Sequence, residues 1–278
     1  MRLLIRRCMM SELPIRQPAV AGHFYPGDPD VLRRFVHQYV DEATLPEGLG
    51  LVRAIIAPHA GYVYSGPTAG YAFRALTTLP KNEWTVFLLG PAHRVPFHGV
   101  ALGEYSAFRT PLGDVPIAVD RVAEMLARSP LYTRAPQAHA PEHCLEVEVP
   151  FLQMTLSDFR LVPMLFGDVD PQKVTVELVD HVGEDDLIIV SSDLSHFYPH
   201  DKAQQLDRAV LDAVIAGDEA GVLRGEACGS APIVTLMSIA RRKGWQPHLL
   251  DYRTSGDTAG DKLRVVGYGS VVYTEANE

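Results

Sequence analysis

Several side chains able to hold a metal or move a proton fall just after breaks in the chain's apolar pattern. His59 follows the run Ala54-Ile55-Ile56-Ala57 and Pro58, within RAIIAPHAGYVYSG (residues 53–66). His93 follows WTVFLLG and a Pro-Ala step, and Asp193 and His196 follow the run Leu187–Val190 in SSDLSHF. Neutral imidazole binds iron, copper and zinc, and a carboxylate among histidines suits non-haem iron. The spacing matches no local metal signature such as HExxH, so the chemistry depends on three strands ending side by side. Open α/β sheets bring loops together in this way, at the carboxyl ends of parallel strands. One such histidine is more often a strand cap or a loop hydrogen-bonder; three in one chain reverse that preference.

Other positions leave alternatives open. Cys228 lies in Cys-Gly-Ser-Ala-Pro, ahead of a predicted helix. The positive end of a helix lowers a thiol's pKa and favours the thiolate, which attacks or binds metal. A small buried hydrophobe is an equally good reading. Cys144 lacks that context and reads as buried. His143 and Glu146 stand one helical turn apart, as groups that orient ligands or hold substrate, or as a solvated helix start. Tyr62 and Tyr64 are candidate pocket residues, although most tyrosines after a turn simply pack. His98, His139, His181 and His248 read as surface or structural.

The elements that must position these residues are short apolar strands alternating with helices. The reading places strands at 53–57, 84–89, 160–166 and 187–190. Loop 58–66 leads into a helix over about 67–79, and further helices span 119–128, 171–182, 202–216 and 231–241. Residues 146–156 fit a helix or an extended stretch. Two closing strands, 248–253 and 265–273, flank a polar loop. This alternation predicts an α/β layered domain with a mostly parallel central sheet. The domain is read as 11–278, and residues 1–10 as a leader or an upstream start.

Composition narrows the function classes. The 278 residues are 47% hydrophobic and 21% charged, with a formal charge of −9 and no long basic run, so a nucleic-acid partner is not expected. The apolar residues near the start are broken by three arginines, unlike a signal peptide, and no run suits a membrane span. Three cysteines without a CxxC point to a reducing cytoplasm.

Taken together, RQPAVAGHFYPGDP, APHAGYVYSGPTAGYAF, LLGPAHR, TPLGDVP, EHCLEVEVPFLQ, SSDLSHF, ACGSAPI and DYRTSGDTAGD…VVGYGSVVY resemble the Memo family, the AmmeMemoRadiSam system protein B group. They run in order from about residue 16 to 273, with Cys144 where the family more often has Ser. The resemblance implies a fold similar to class III extradiol dioxygenases, in which two histidines and a carboxylate hold ferrous iron. Carried over, the family's metal ligands fall on His59, His93 and Cys228, with Asp193 and His196 lining the same pocket. A thiolate in the carboxylate's place softens the site and admits copper as well as iron. The implied function is a mononuclear metal oxidoreductase with an aromatic or phenolic small-molecule substrate. His196, paired with Asp193, would be the acid/base or substrate-orienting group. A ligand-binding module and a thiol hydrolase using Cys228 are the competing readings. The resemblance also implies functional company with a radical-SAM protein and an AMMECR1-like protein.

Overall fold

A computed structural model describes residues 13–275; Cys8 and the leader reading lie outside the described residues. The strands are β1 (Ile15–Arg16), β2 (Val52–Ala57), β3 (Glu83–Pro91), β4 (Val100–Ala101), β5 (Ala107–Thr110), β6 (Gly113–Pro116), β7 (Tyr132–Thr133), β8 (Asp158–Phe166), β9 (Asp186–Ser191), β10 (His196–Tyr198), β11 (Gln246–Thr254) and β12 (Val265–Thr274). The main sheet runs β10-β12-β2-β9-β3-β8-β4-β7, with β11 also paired to β12, while β1, β5 and β6 form a small separate sheet.

Its centre is parallel. β9 lies between β2 and β3, parallel to both, and β3 continues parallel to β8. The margins turn antiparallel, with β12 against β2 on one side and β4 against β8 on the other. All six residues of β2 and of β9 are buried, as expected of parallel strands covered on both faces. The buried apolar side chains form one cluster that reaches from Val20 to Tyr273. β12 is an interior strand, held between β2 and β11.

Helices cover this sheet for local reasons. Pro29–Glu42 starts at Asp28, whose carboxylate accepts from the N–H groups of Asp30 and Val31. It buries Leu32, Val36 and Val40 at four-residue spacing, each contributing about 1.5–3 kcal/mol. This helix packs closely on Tyr62–Leu76. A Cβ on Gly66 would come 2.4 Å from the Tyr39 ring, and one on Gly70 would lie 2.3 Å from the Tyr39 carbonyl oxygen. Those two glycines let one helix approach the Tyr39 ring and the Tyr39 main chain of the other.

Two boundaries differ from the sequence reading. The helix expected from about 67 begins at Tyr62, with Pro67 inside it. Burial of Tyr62 and a Ser65 hydroxyl bond to the Ala60 carbonyl fix the first turn ahead of the proline. Residues 146–155 settle as a 3₁₀ turn, Glu146–Glu148, followed by the helix Val149–Thr155. Pro150 falls in the first turn of that helix, where its missing N–H costs nothing. Strand β10 and the helix Glu219–Arg224 were not anticipated. Among the described residues no helix is long and apolar enough to cross a membrane.

Candidate metal centre

Because β2, β9 and β3 are parallel neighbours, with Ala57 opposite Ser191 and Leu89 opposite Val190, their carboxyl ends share one rim. His59, Asp193 and His93 each stand just beyond the last residue of those strands. The ring centroids of His59 and His93 are 5.1 Å apart. His143 joins them from the loop before the 3₁₀ turn, 5.4 Å from His59 and 4.9 Å from His93. One ring nitrogen from each of the three lies within 4.8 Å of the others.

Cys228 stands beside this group, its Sγ 3.3 Å from His59 Nε2, while the mutually close ligand atoms are those of the three histidines. Backbone bonds fix it there. The Cys228 N–H donates to the Asp193 carbonyl, and the Asp193 N–H donates to Sγ at 3.3 Å. The helix Ser230–Lys243 begins two residues on, where the Gly229 N–H donates to Ser192 Oγ. A Cβ on Gly229 would fall 2.6 Å from the Ser192 Cβ, so glycine admits this close approach.

Glu142, which the sequence reading passed over, holds two of the histidines. It accepts from the His93 N–H at 2.6 Å, His93 Nδ1 at 3.0 Å, and the N–H groups of His143 and Cys144. His143 Nδ1 also lies 3.0 Å from its Oε1. Burial favours the neutral acid, but the contacts with His143 and His93 outweigh it and hold Glu142 well below the usual carboxylate range. The only sequence signal for it was an acidic residue directly before His143.

The remaining electrostatics follow from burial. Desolvation, then the neighbouring His143 and His93, keep His59 well below its ordinary value, so it is neutral at pH 7, the form that binds metal. Its N–H donates to Asp193 Oδ1 at 2.8 Å, and its Nδ1 lies 2.8 Å from Ser191 Oγ. Burial pushes Asp193 up to about 6 against that hydrogen bond. The Cys228 thiol moves opposite to the sequence expectation: burial and the Asp193 charge push it up to about 12, overriding the helix N-terminus.

Of the other expected site residues, His196 lies at the rim. It is half-buried on β10 and lines a cavity of about 390 Å³ with Leu194, Arg224, Glu226 and Cys228. No hydrogen bond joins it to Asp193 among the described residues; the Asp193 carboxylate is engaged by His59. Tyr62 and Glu146 do not reach the cluster. Tyr62 is buried against Phe151 and Tyr25, and its hydroxyl donates to the Val147 carbonyl. Glu146 accepts from Arg16 Nη1 at 2.6 Å, the N–H groups of Ala19 and Val20, and the Tyr25 hydroxyl. One turn does close here, the Val147 N–H donating to the His143 carbonyl, but the Glu146 carboxylate is taken up by the Arg16–Tyr25 segment and not by the histidines. Cys144 is buried as expected, its Sγ against the Pro91 carbonyl.

Comparison with known proteins places the sequence in a lineage. The family profile described as "Memo-like protein" matches residues 16–272. A MEMO1 family protein of Methanopyrus kandleri is 35% identical over 279 residues, covering 93% of this chain and 98% of that one. One from Archaeoglobus fulgidus is 36% identical over 274 residues, covering 93% and 99%. Among solved structures, an uncharacterized protein of Escherichia coli matches with a TM-score of 0.52 at 12% identity, over 78% of this chain and 99% of that one. That last likeness concerns the fold alone.

Proposed function

Since the chain belongs to the Memo family, and its strand ends gather three imidazoles and a thiol, we propose that it is a mononuclear non-haem metal protein with oxidoreductase, dioxygenase-like activity. The observation that carries this reading is the approach of Cys228 Sγ to His59 Nε2 at 3.3 Å, beside the His93 and His143 rings. The donors suit such an ion. His59 is held neutral, and the Nδ1 atoms of His59 and His93 are engaged by Ser191 and Glu142, which leaves each Nε2 as the free nitrogen. His59, His93 and Cys228 would hold the ion, and a set with one sulfur and two nitrogens suits iron(II) or copper.

When bound, the ion supplies a Lewis-acid and redox centre. The protein's own residues do the rest. Asp193 fixes the His59 backbone, and Ser191 Oγ at its Nδ1 restrains the ring. The cavity beside Cys228 has room for a small molecule, with a phenol or other aromatic as the favoured class. His196, on that cavity's wall, would take or return a substrate proton.

Elemental analysis of anaerobically purified protein tests the reading, with His59→Ala and Cys228→Ser beside the wild type. Near-stoichiometric iron or copper in the wild type, absent from both variants, is the expected result. A wild type that carries no metal, and takes up neither ferrous nor cuprous ion on anaerobic titration, would sink it.

A further inference from the structure

Ser191 Oγ, at the end of β9, meets three polar groups. The Cys144 carbonyl oxygen lies at 2.7 Å, Glu148 Oε1 at 2.8 Å and His59 Nδ1 at 2.8 Å. A hydroxyl has one hydrogen to give and two lone pairs to receive with. The carbonyl can only accept, so Ser191 must spend its hydrogen there or leave two oxygens facing each other lone pair to lone pair. With that hydrogen committed, both other contacts need donors. An ionised Glu148 has no proton to offer, and an imidazole with bare Nδ1 has none either. One arrangement alone satisfies all three contacts: Glu148 carries a proton on Oε1, and His59 carries one on Nδ1.

The surroundings of Glu148 agree. It is buried, with 1% of its surface exposed, and no ion pair reaches it among the described residues. Burial pushes its carboxyl well above the usual range, and the nearby Asp193 charge adds to it. An uncompensated buried carboxylate costs several kcal/mol, and neutralisation is its usual escape.

We infer that Glu148 is a neutral carboxylic acid which, through Ser191, fixes His59 as the Nδ1–H tautomer and so aims the Nε2 lone pair at Cys228. Glu148 and Ser191 are positioning residues: they touch neither substrate nor metal, and act by deciding which nitrogen of His59 is free. The proton arrangement stands on the hydrogen-bond count alone. Its use in capturing a metal rests on the metal-centre reading above.

The experiment uses the full chain stripped of metal. The infrared difference between wild type and Glu148→Gln at neutral pH is expected to show the C=O stretch of a protonated carboxylic acid. The imidazole ¹⁵N spectrum, with His59 identified by its loss in His59→Ala, should show Nδ1 protonated and Nε2 bare. Glu148→Gln places a permanent N–H donor at the same point and is expected to keep the His59 spectrum. Ser191→Ala releases the tautomer, and its anaerobic affinity for ferrous ion alone should fall about 10–100-fold. A difference spectrum with only carboxylate bands, or wild-type His59 protonated on Nε2, overturns the inference, whatever Ser191→Ala does. The expected proton pattern in a wild type that takes up neither ferrous nor cuprous ion upholds the arrangement and overturns the metal-centre reading.

Discussion

Glu142 and Glu146 lie four residues apart, both are buried, and each accepts four hydrogen bonds, yet they hold different parts of the molecule. Glu146 meets a permanent cation, two backbone N–H groups and a phenol: Arg16, Ala19, Val20 and Tyr25. All belong to the segment that enters ahead of the first long helix, so this carboxylate ties that segment to the core. Glu142 meets two histidine-bearing turns instead, and its partners are groups that would themselves hold a metal. Arg16 links the two regions by donating to the carbonyls of Glu142 and His139. The difference lies in what the partner can still do once the bond is made. The arginine is finished; the imidazole keeps a second nitrogen.

That contrast predicts separable losses. Arg16→Met strips the charge partner from a buried carboxylate and should cost about 3–5 kcal/mol in urea unfolding. At temperatures well below its transition the variant should still bind ferrous ion, and a metal affinity that collapses along with stability would merge the two regions into one unit. Glu142→Gln should show the reverse pattern, with ferrous affinity lowered about 10–100-fold, equivalent to roughly 1.4–2.7 kcal/mol, and a smaller loss of stability. An unchanged affinity would demote Glu142 to a structural brace.

Glu148 sharpens the comparison with the smallest effect. Its folded pKa lies above the unfolded value of 4.5, so the native state holds a proton that the unfolded chain releases. Wild-type stability should therefore decline as pH rises above 4.5, by about 1.4 kcal/mol per pH unit until the folded pKa is reached. The nearby Asp193, itself raised to about 6, adds its charge within the same window. Glu148→Gln removes the Glu148 share of the slope, so urea titrations across the neutral range should favour the variant progressively as pH increases. Parallel pH profiles for the two proteins would place an ionised carboxylate at position 148.

What could be read from the sequence followed locality. The continuous apolar runs of β2, β3 and β9 announced buried parallel strands, and their endings at His59, His93 and Asp193 announced the rim. The position of Cys228 ahead of a helix was legible, but its electrostatics were not, because burial against Asp193 outweighs the helix end. Glu146 was misplaced because its partner Arg16 lies 130 residues away, and no short-range pattern records that pairing. Tyr62 was misplaced for a related reason: a proline five residues later disguised a helix start that burial decides. Glu142 and Ser191 carry no motif of their own, and only the packing of loops shows what they hold.

The interior place of β12 has a consequence for how the protein is made. A ribosome finishes β2 long before it reaches residues 265–274, so the nascent chain waits with the flank of β2 unpaired and lined by Val52, Ala54, Ile55 and Ile56. An open apolar edge of that kind recruits strands from other molecules. Synthesis therefore passes through an interval in which two nascent chains can capture each other, and it ends when the last strand slides in. A message cut short before that strand would leave the edge permanently open and give aggregate instead of a smaller working protein.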